Sequence, residues 1–167
     1  MLFCVQRAPV GGDTMFCNMV RAYETLSDKM KSIVDDLETV YDVGLTAGIN
    51  ERDPAKVAEL RRINPPVAHP AVCVHPLSGK KALYVSERAS HFRGMTAAES
   101  GPLIKFLCDH ATNPENVYRH RWEANDLVLW DNRTTMHVAL ADFDQTAPRH
   151  MLRATLQGEE TGTIVES

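Results

Sequence analysis

Three β-rich runs close the chain: VYRHRWEANDLVLWDN from residue 117, TTMHVAL from 134 and HMLRATLQ from 150. Asn-Asp, Asp-Asn and an Ala-Pro-containing loop separate them, so the chain turns back on itself at each break. A further run, LFCVQRA, alternates from the second residue, as if the chain began inside a sheet, and PVGGDT after it is a turn whose paired glycines permit positive φ. The pattern predicts a mainly β fold with helical insertions (α+β), an all-β sandwich or barrel core carrying helices.

The insertions lie between these β segments. In NMVRAYETLSDKMKSIVDDLETVYDV, apolar Met19, Val20, Tyr23, Leu26, Met30, Ile33, Val34 and Leu37 recur at helical spacing, and Asn18 and Ser27 stand as N-caps of two short helices. Residues 44–69 read as a surface excursion with one short helix in PAKVAELRRI, stopped at Pro65-Pro66. VAHPAVCVH and PLSGKKALYVS form a hairpin pattern about a Ser-Gly turn. MTAAESGPLIKFLCDHATN begins with Thr96 and Glu99 in capping-box spacing and places Leu103, Phe106 and Leu107 on one face. The final GEETGTIVES, from which residues 161–167 are read as a polar tail, is expected to fray.

Composition narrows the function. With 167 residues, 44% hydrophobic and 24% charged, the chain has enough length for one domain with a core. A net charge of -4 without a Lys/Arg block argues against nucleic acid as a partner and leaves small-molecule chemistry. Four scattered cysteines without a CxxC pair suit reduced thiols in a cytoplasm, and no apolar window is long enough to suggest a leader or a membrane span.

Two kinds of residue stand out for chemistry. On an extended strand Arg149, Met151 and Arg153 share a face, with the two guanidinium groups starting roughly 13 Å apart. If that face is core, each arginine needs an anion, best a carboxylate that matches its fork; if it is solvent, neither does. His137 on TTMHVAL, taken alone, reads first as a hydrogen-bonded core residue of its strand and only second as a metal ligand. His69 and His75 flank the hairpin in structural or surface roles, Asp131 and Asn132 shape the turn before the His137 strand, and Trp130 reads as packing.

GGDTMFCNMVRAYETL at 11–26, HPLSGKKALYVSERASHFRGM at 75–95, VYRHRWEANDLVLWDNRTTMH at 117–137 and the RHMLRAT run resemble the TauD/TfdA family, in the family's order. That family comprises iron(II)- and 2-oxoglutarate-dependent dioxygenases, among them the taurine and 2,4-dichlorophenoxyacetate enzymes. The resemblance implies a double-stranded β-helix, the clavaminate-synthase-like jelly roll, with Fe(II) as metal and 2-oxoglutarate as co-substrate. It places the distal iron-binding histidine on His137, the 2-oxoglutarate arginine on Arg149 with help from Thr14, and a substrate-binding arginine on Arg153, which favours a small anionic substrate. Such a clamp would hold the far carboxylate so that the keto end meets the metal in one pose.

One departure is plain. The family's first two iron ligands form H-x-D or H-x-E upstream of GGDT, and none of the seven histidines has an acid two residues later. The resemblance therefore reads residues 1–160 as the carboxy-terminal portion of such a domain, an incomplete jelly roll behind a new initiator methionine. Its expected partners are a homo-oligomer mate or a complementing amino-terminal half. The alternative is a noncatalytic remnant lacking the first histidine and the acidic ligand.

Overall fold

The computed structural model describes residues 1–45, 54–158 and 162–165. Its elements run β1 (Leu2–Gln6), β2 (Thr14–Asn18), α1 (Met19–Glu24), α2 (Asp28–Val34), β3 (Glu38–Tyr41), α3 (Pro54–Ile63), β4 (Val67–Pro70), β5 (Val72–Val74), β6 (Lys81–Leu83) and β7 (Ala89–Phe92). They continue with α4 (Ala97–Ala111), β8 (Val117–His120), β9 (Leu127–Val128), β10 (Thr135–Ala139), β11 (His150–Arg153) and β12 (Thr163–Ile164).

The two β-rich ends of the chain meet in two three-stranded antiparallel sheets, ordered β11-β1-β9 and β10-β2-β8. Everything from α1 to α4 is an insertion between β2 and β8, with a four-stranded sheet ordered β12-β4-β3-β7 and the β5-β6 hairpin. Mainly antiparallel sheet with a few helices agrees with the β core carrying helices that the strand pattern implies and with the jelly roll that the family resemblance implies.

Alternation along β2 divides its work. Cys17, with Val117 and Met136 from the neighbouring strands, packs into the cluster formed by Val34, Leu83, Phe92, Leu107 and Ala111. Phe16 points to the opposite face and meets the rings of Tyr118 and His137. The main core thus lies between one face of the β10-β2-β8 sheet and the insertion, and the other face is left for the site.

Local signals explain most of the insertion. The side chain of Asn18 caps α1 through the Arg21 N–H, and that of Ser27 caps α2 through the Met30 N–H. Thr96 and Glu99 form the reciprocal capping box at the start of α4. Fully buried Ser100 accepts a 2.9 Å hydrogen bond from the Phe92 N–H, which fixes that helix to β7. Ser78-Gly79 turns the β5-β6 hairpin with Gly79 at φ 67°.

Four sequence expectations change. Residues 38–41, read as part of a helical stretch, form β3, because buried Thr39 and Val40 pair with β4 on one side and β7 on the other. VAHP belongs to β4 and pairs with β3 and β12, so the hairpin is shorter than its alternation suggests. Phe106 is 45% exposed, and α4 buries Ile104, Leu107, Cys108 and Ala111 instead, a face rotated by one residue. Thr163–Ile164 pairs with β4 within the segment read as a polar tail. The expected excursion over 44–69 keeps its helix as α3, but residues 46–53 lie outside the described residues.

Leu107 is fully buried in the core cluster. Leu107→Ala should therefore lower the unfolding free energy by about 3 kcal/mol in urea denaturation, while Thr96→Ala should cost about 1 kcal/mol.

Candidate active site

The GGDT turn and the loop after β10 are laced together by charge. Gly11 and Gly12 both take positive φ, at 71° and 72°, which an L side chain resists. A Cβ on Gly12 would sit 2.9 Å from Arg149 Nε, so this glycine also permits close approach. The Gly12 N–H donates to Asp142 Oδ1 at 2.8 Å, and Arg119 spans Asp13 (2.8 Å) and Asp142 (2.9 Å). The Gly12 N–H, followed by the Arg119 cation, holds the Asp142 carboxyl below its usual range.

Arg149 lies immediately before β11 and is half-buried. Its Nε and Nη2 donate to the Gly12 carbonyl at 3.2 and 3.0 Å, and its guanidinium stacks over Phe143 at 5.5 Å. Of the five guanidinium hydrogens, the two on Nη1 and one on Nη2 are left for an anion. Two residues on from Gly12, Thr14 is buried and its Oγ accepts a 3.0 Å hydrogen bond from the buried indole N–H of Trp122. With that lone pair taken, the hydroxyl hydrogen of Thr14 is free to donate.

His137 stands opposite Phe16 in the β2–β10 register, and Ala139 stands opposite Thr14. Its ring lies 6.1 Å from Phe16 and 4.8 Å from Trp130, centroid to centroid. Burial against these rings, and then the Arg153 cation, pulls the His137 pKa below its usual value and favours the neutral imidazole that a metal requires. His137 and Arg153 line one cavity of about 940 Å³, together with Tyr41, His69, Tyr84 and Arg88.

Of the four residues singled out from the sequence, His137 and Arg153 thus share a cavity, while Arg149 and Thr14 flank the neighbouring GGDT turn. Trp130 packs its ring, tilted by 59°, against that of His137. Sequence reasoning missed Trp122, Asp13, Arg119 and Asp142; of these, Asp13 carried a signal in its place within GGDT.

A facial iron triad needs two further ligands near His137. Among the described residues no group of three His, Cys, Asp or Glu side chains is placed to hold a metal. Of the residues singled out from the sequence, His137 alone is a predicted metal ligand, and Arg149 and Thr14 are the predicted anion donors.

Comparison with known proteins settles the family. The model of the taurine catabolism dioxygenase TauD, TfdA family matches residues 1–155. The chain belongs to the TauD/TfdA family. It is 38% identical over 158 residues to the alpha-ketoglutarate-dependent 2,4-dichlorophenoxyacetate dioxygenase of Burkholderia sp. strain RASC, covering 95% of this chain and 52% of the relative. It is 37% identical to the alpha-ketoglutarate-dependent sulfate ester dioxygenase of Pseudomonas putida, over 89% of this chain and 51% of that one. Among solved structures, AAD-2 in complex with Mn(II) and N-oxalylglycine superposes with a TM-score of 0.88 at 36% identity, over 97% of this chain and 63% of that one. The chain spans about half the length of the curated TauD/TfdA relatives it matches.

Two outcomes test this geometry. Trp122→Phe removes the buried indole donor to Thr14 and should lower the unfolding free energy by about 1 kcal/mol in urea denaturation, for one lost hydrogen bond. His69, whose Nδ1 is buried without a hydrogen-bond partner among the described residues, has its pKa lowered by burial. The unfolded chain then takes up a proton first as pH falls through about 6.5, so His69 costs stability below that pH and not above it. Denaturant titrations from pH 7.5 to 5.5 should show a shallower loss of stability in His69→Phe than in the unsubstituted chain.

Proposed function

We propose that residues 1–160 are the carboxy-terminal portion of an iron(II)- and 2-oxoglutarate-dependent dioxygenase. The complete protein hydroxylates a small anionic organic substrate and releases succinate and carbon dioxide. What supports this reading is that His137 and Arg153 line one cavity, and that Thr14, on the strand paired with β10, and Arg149 meet at the GGDT turn.

In this reading His137 is the distal iron ligand, Arg149 and Thr14 hold the far carboxylate of 2-oxoglutarate, and Arg153 meets the anionic group of the substrate. Sulfate ester and aryloxy acid relatives support an anionic substrate. When bound, Fe(II) supplies oxygen activation. The described residues give it one ligand, so the remaining ligands come from a segment outside them.

That segment also has somewhere to lie. On the β11-β1-β9 sheet, Leu152 and Leu127 stand opposite Phe3 from either side. Leu127 is 56% and Leu152 53% exposed, an uncovered apolar stripe across three strands. We assign its cover to a β-rich amino-terminal half bearing H-x-D or H-x-E, ahead of a second copy of this chain, because the covering segment must also bring a histidine and an acid. Cytoplasmic location is part of the same proposal. It is supported by four free thiols and by the lack, among the described residues, of a helix long and apolar enough to cross a membrane.

The absence of a three-ligand group among the described residues favours a second reading, a noncatalytic remnant that keeps the shell and the anion clamp. Succinate release separates the two. Combined with an amino-terminal half that carries the motif, the chain should release succinate from 2-oxoglutarate when iron, oxygen and an aryloxy acid or sulfate ester are supplied, and His137→Ala should reduce this to background. A folded, combined protein that releases none establishes the remnant.

A further inference from the structure

The turn that launches β10 is held from outside its own strand. Asp131 accepts from the Arg133 N–H at 2.9 Å and from Nε and Nη2 of the same arginine, and its carbonyl accepts from the Thr134 N–H at 3.2 Å. The Thr134 carbonyl in turn accepts from the Met19 N–H at 3.0 Å, at the junction of β2 and α1. Thr135 follows as the first residue of β10, and His137 comes two positions later.

His75 reaches this turn from the insertion, 56 residues earlier in the chain. It sits at the start of the β5-β6 turn, where its N–H donates to the Lys80 carbonyl and its own carbonyl accepts from the Gly79 N–H. The Ser78 N–H donates to His75 Nδ1 at 3.1 Å, which makes Nδ1 an acceptor and leaves the ring proton on Nε2. Nε2 lies 3.1 Å from Asp131 Oδ2, and the imidazole side chain is 13% exposed. The ring is therefore fixed in one tautomer and one orientation by the hairpin, and it gives its remaining donor to the carboxylate that shapes the turn.

An ion pair between Asp131 and Arg133 alone would be local and largely solvent-screened. The buried imidazole adds a long-range restraint, because it couples the turn to an element packed on the main core. Outer partners usually orient a metal ligand by hydrogen-bonding it directly; His75 stands one step further out and acts on the turn that starts the His137 strand.

We propose that His75 is a positioning residue for His137, acting through Asp131 to hold the start of β10. Its relevance to metal binding rests on the proposed function; its effect on β10 does not. The Nδ1 and Nε2 of His75 are both engaged within the fold, which leaves neither ring nitrogen for a metal.

The test has two readouts. In the 167-residue chain, His75→Phe should speed amide exchange of Arg133, Thr134 and the β10 residues and shift the His137 ring signals in NMR spectra, while β1 and β11 exchange as before. His75→Gln, which keeps a donor toward Asp131, should restore most of the protection. In the protein combined with its amino-terminal half, His75→Phe should raise the Mn(II) dissociation constant by about three- to tenfold, less than the roughly ten- to one hundredfold seen when a direct partner of a ligand is lost, with the KM for 2-oxoglutarate within about twofold. If His75→Phe fails to fold, Asp131→Asn carries the same expectations.

Unchanged exchange and ring signals in a folded variant would overturn the proposal, as would loosening spread equally over β1, β11 and β10. Localised exchange in a chain whose combined form never releases succinate would leave the restraint standing and remove the oxygenase reading.

Discussion

The antiparallel register between β2 and β10 is the constraint on which the site depends. Side chains alternate across a strand, so a slip of one residue would turn His137 into the helical core and bring Met136 to the open face. The register is locked from both sides. Cys17, Met136 and Val117 are drawn into the core cluster, while Phe16 stacks against His137 and Tyr118. The same pairing places Thr14 opposite Ala139, so the threonine and the histidine are set on one face by one ladder.

Charge finishes what the ladder begins. Arg149 lies outside the regular strand, and its place is set by the Gly12 carbonyl, by Phe143 and by the positive-φ glycines that let its side chain approach. Arg119 joins Asp13 to Asp142, which ties the GGDT turn to the loop leading to Arg149. These are partly exposed ion pairs of small individual worth, and they matter as a connected set that limits where the guanidinium can go.

Sequence showed the parts of this that are governed by local rules. Caps at Asn18, Ser27 and Thr96, the paired glycines and the alternation of TTMHVAL are all readable without tertiary contacts. The strand at 38–41 was hidden because Leu37 and Val40 also suit a helical face, and only pairing with β4 and β7 decides between the two. Phe106 was misplaced for a related reason: its residue type suits a core, but the helix is turned by its attachment to β7 through Ser100. At the site, the residue types were legible through family resemblance, whereas the partners were not. Trp122 meets Thr14 across 108 residues and His75 meets Asp131 across 56, separations that no periodicity reveals.

Under the proposed function, His137 is the one iron ligand among the described residues, beside the donors of Arg149 and Thr14. In that reading the exposed stripe at Leu127 and Leu152 opposite Phe3 would be covered by the same segment that brings the missing ligands. Manganese binding, followed by the loss of the free Mn(II) resonance signal, tests this most directly. The account predicts no specific binding by the 167-residue chain alone, and binding of one ion per protein once the amino-terminal half is joined, lost again in His137→Ala. One tightly held ion in the chain by itself, or binding in the joined protein that survives the loss of His137, would contradict it.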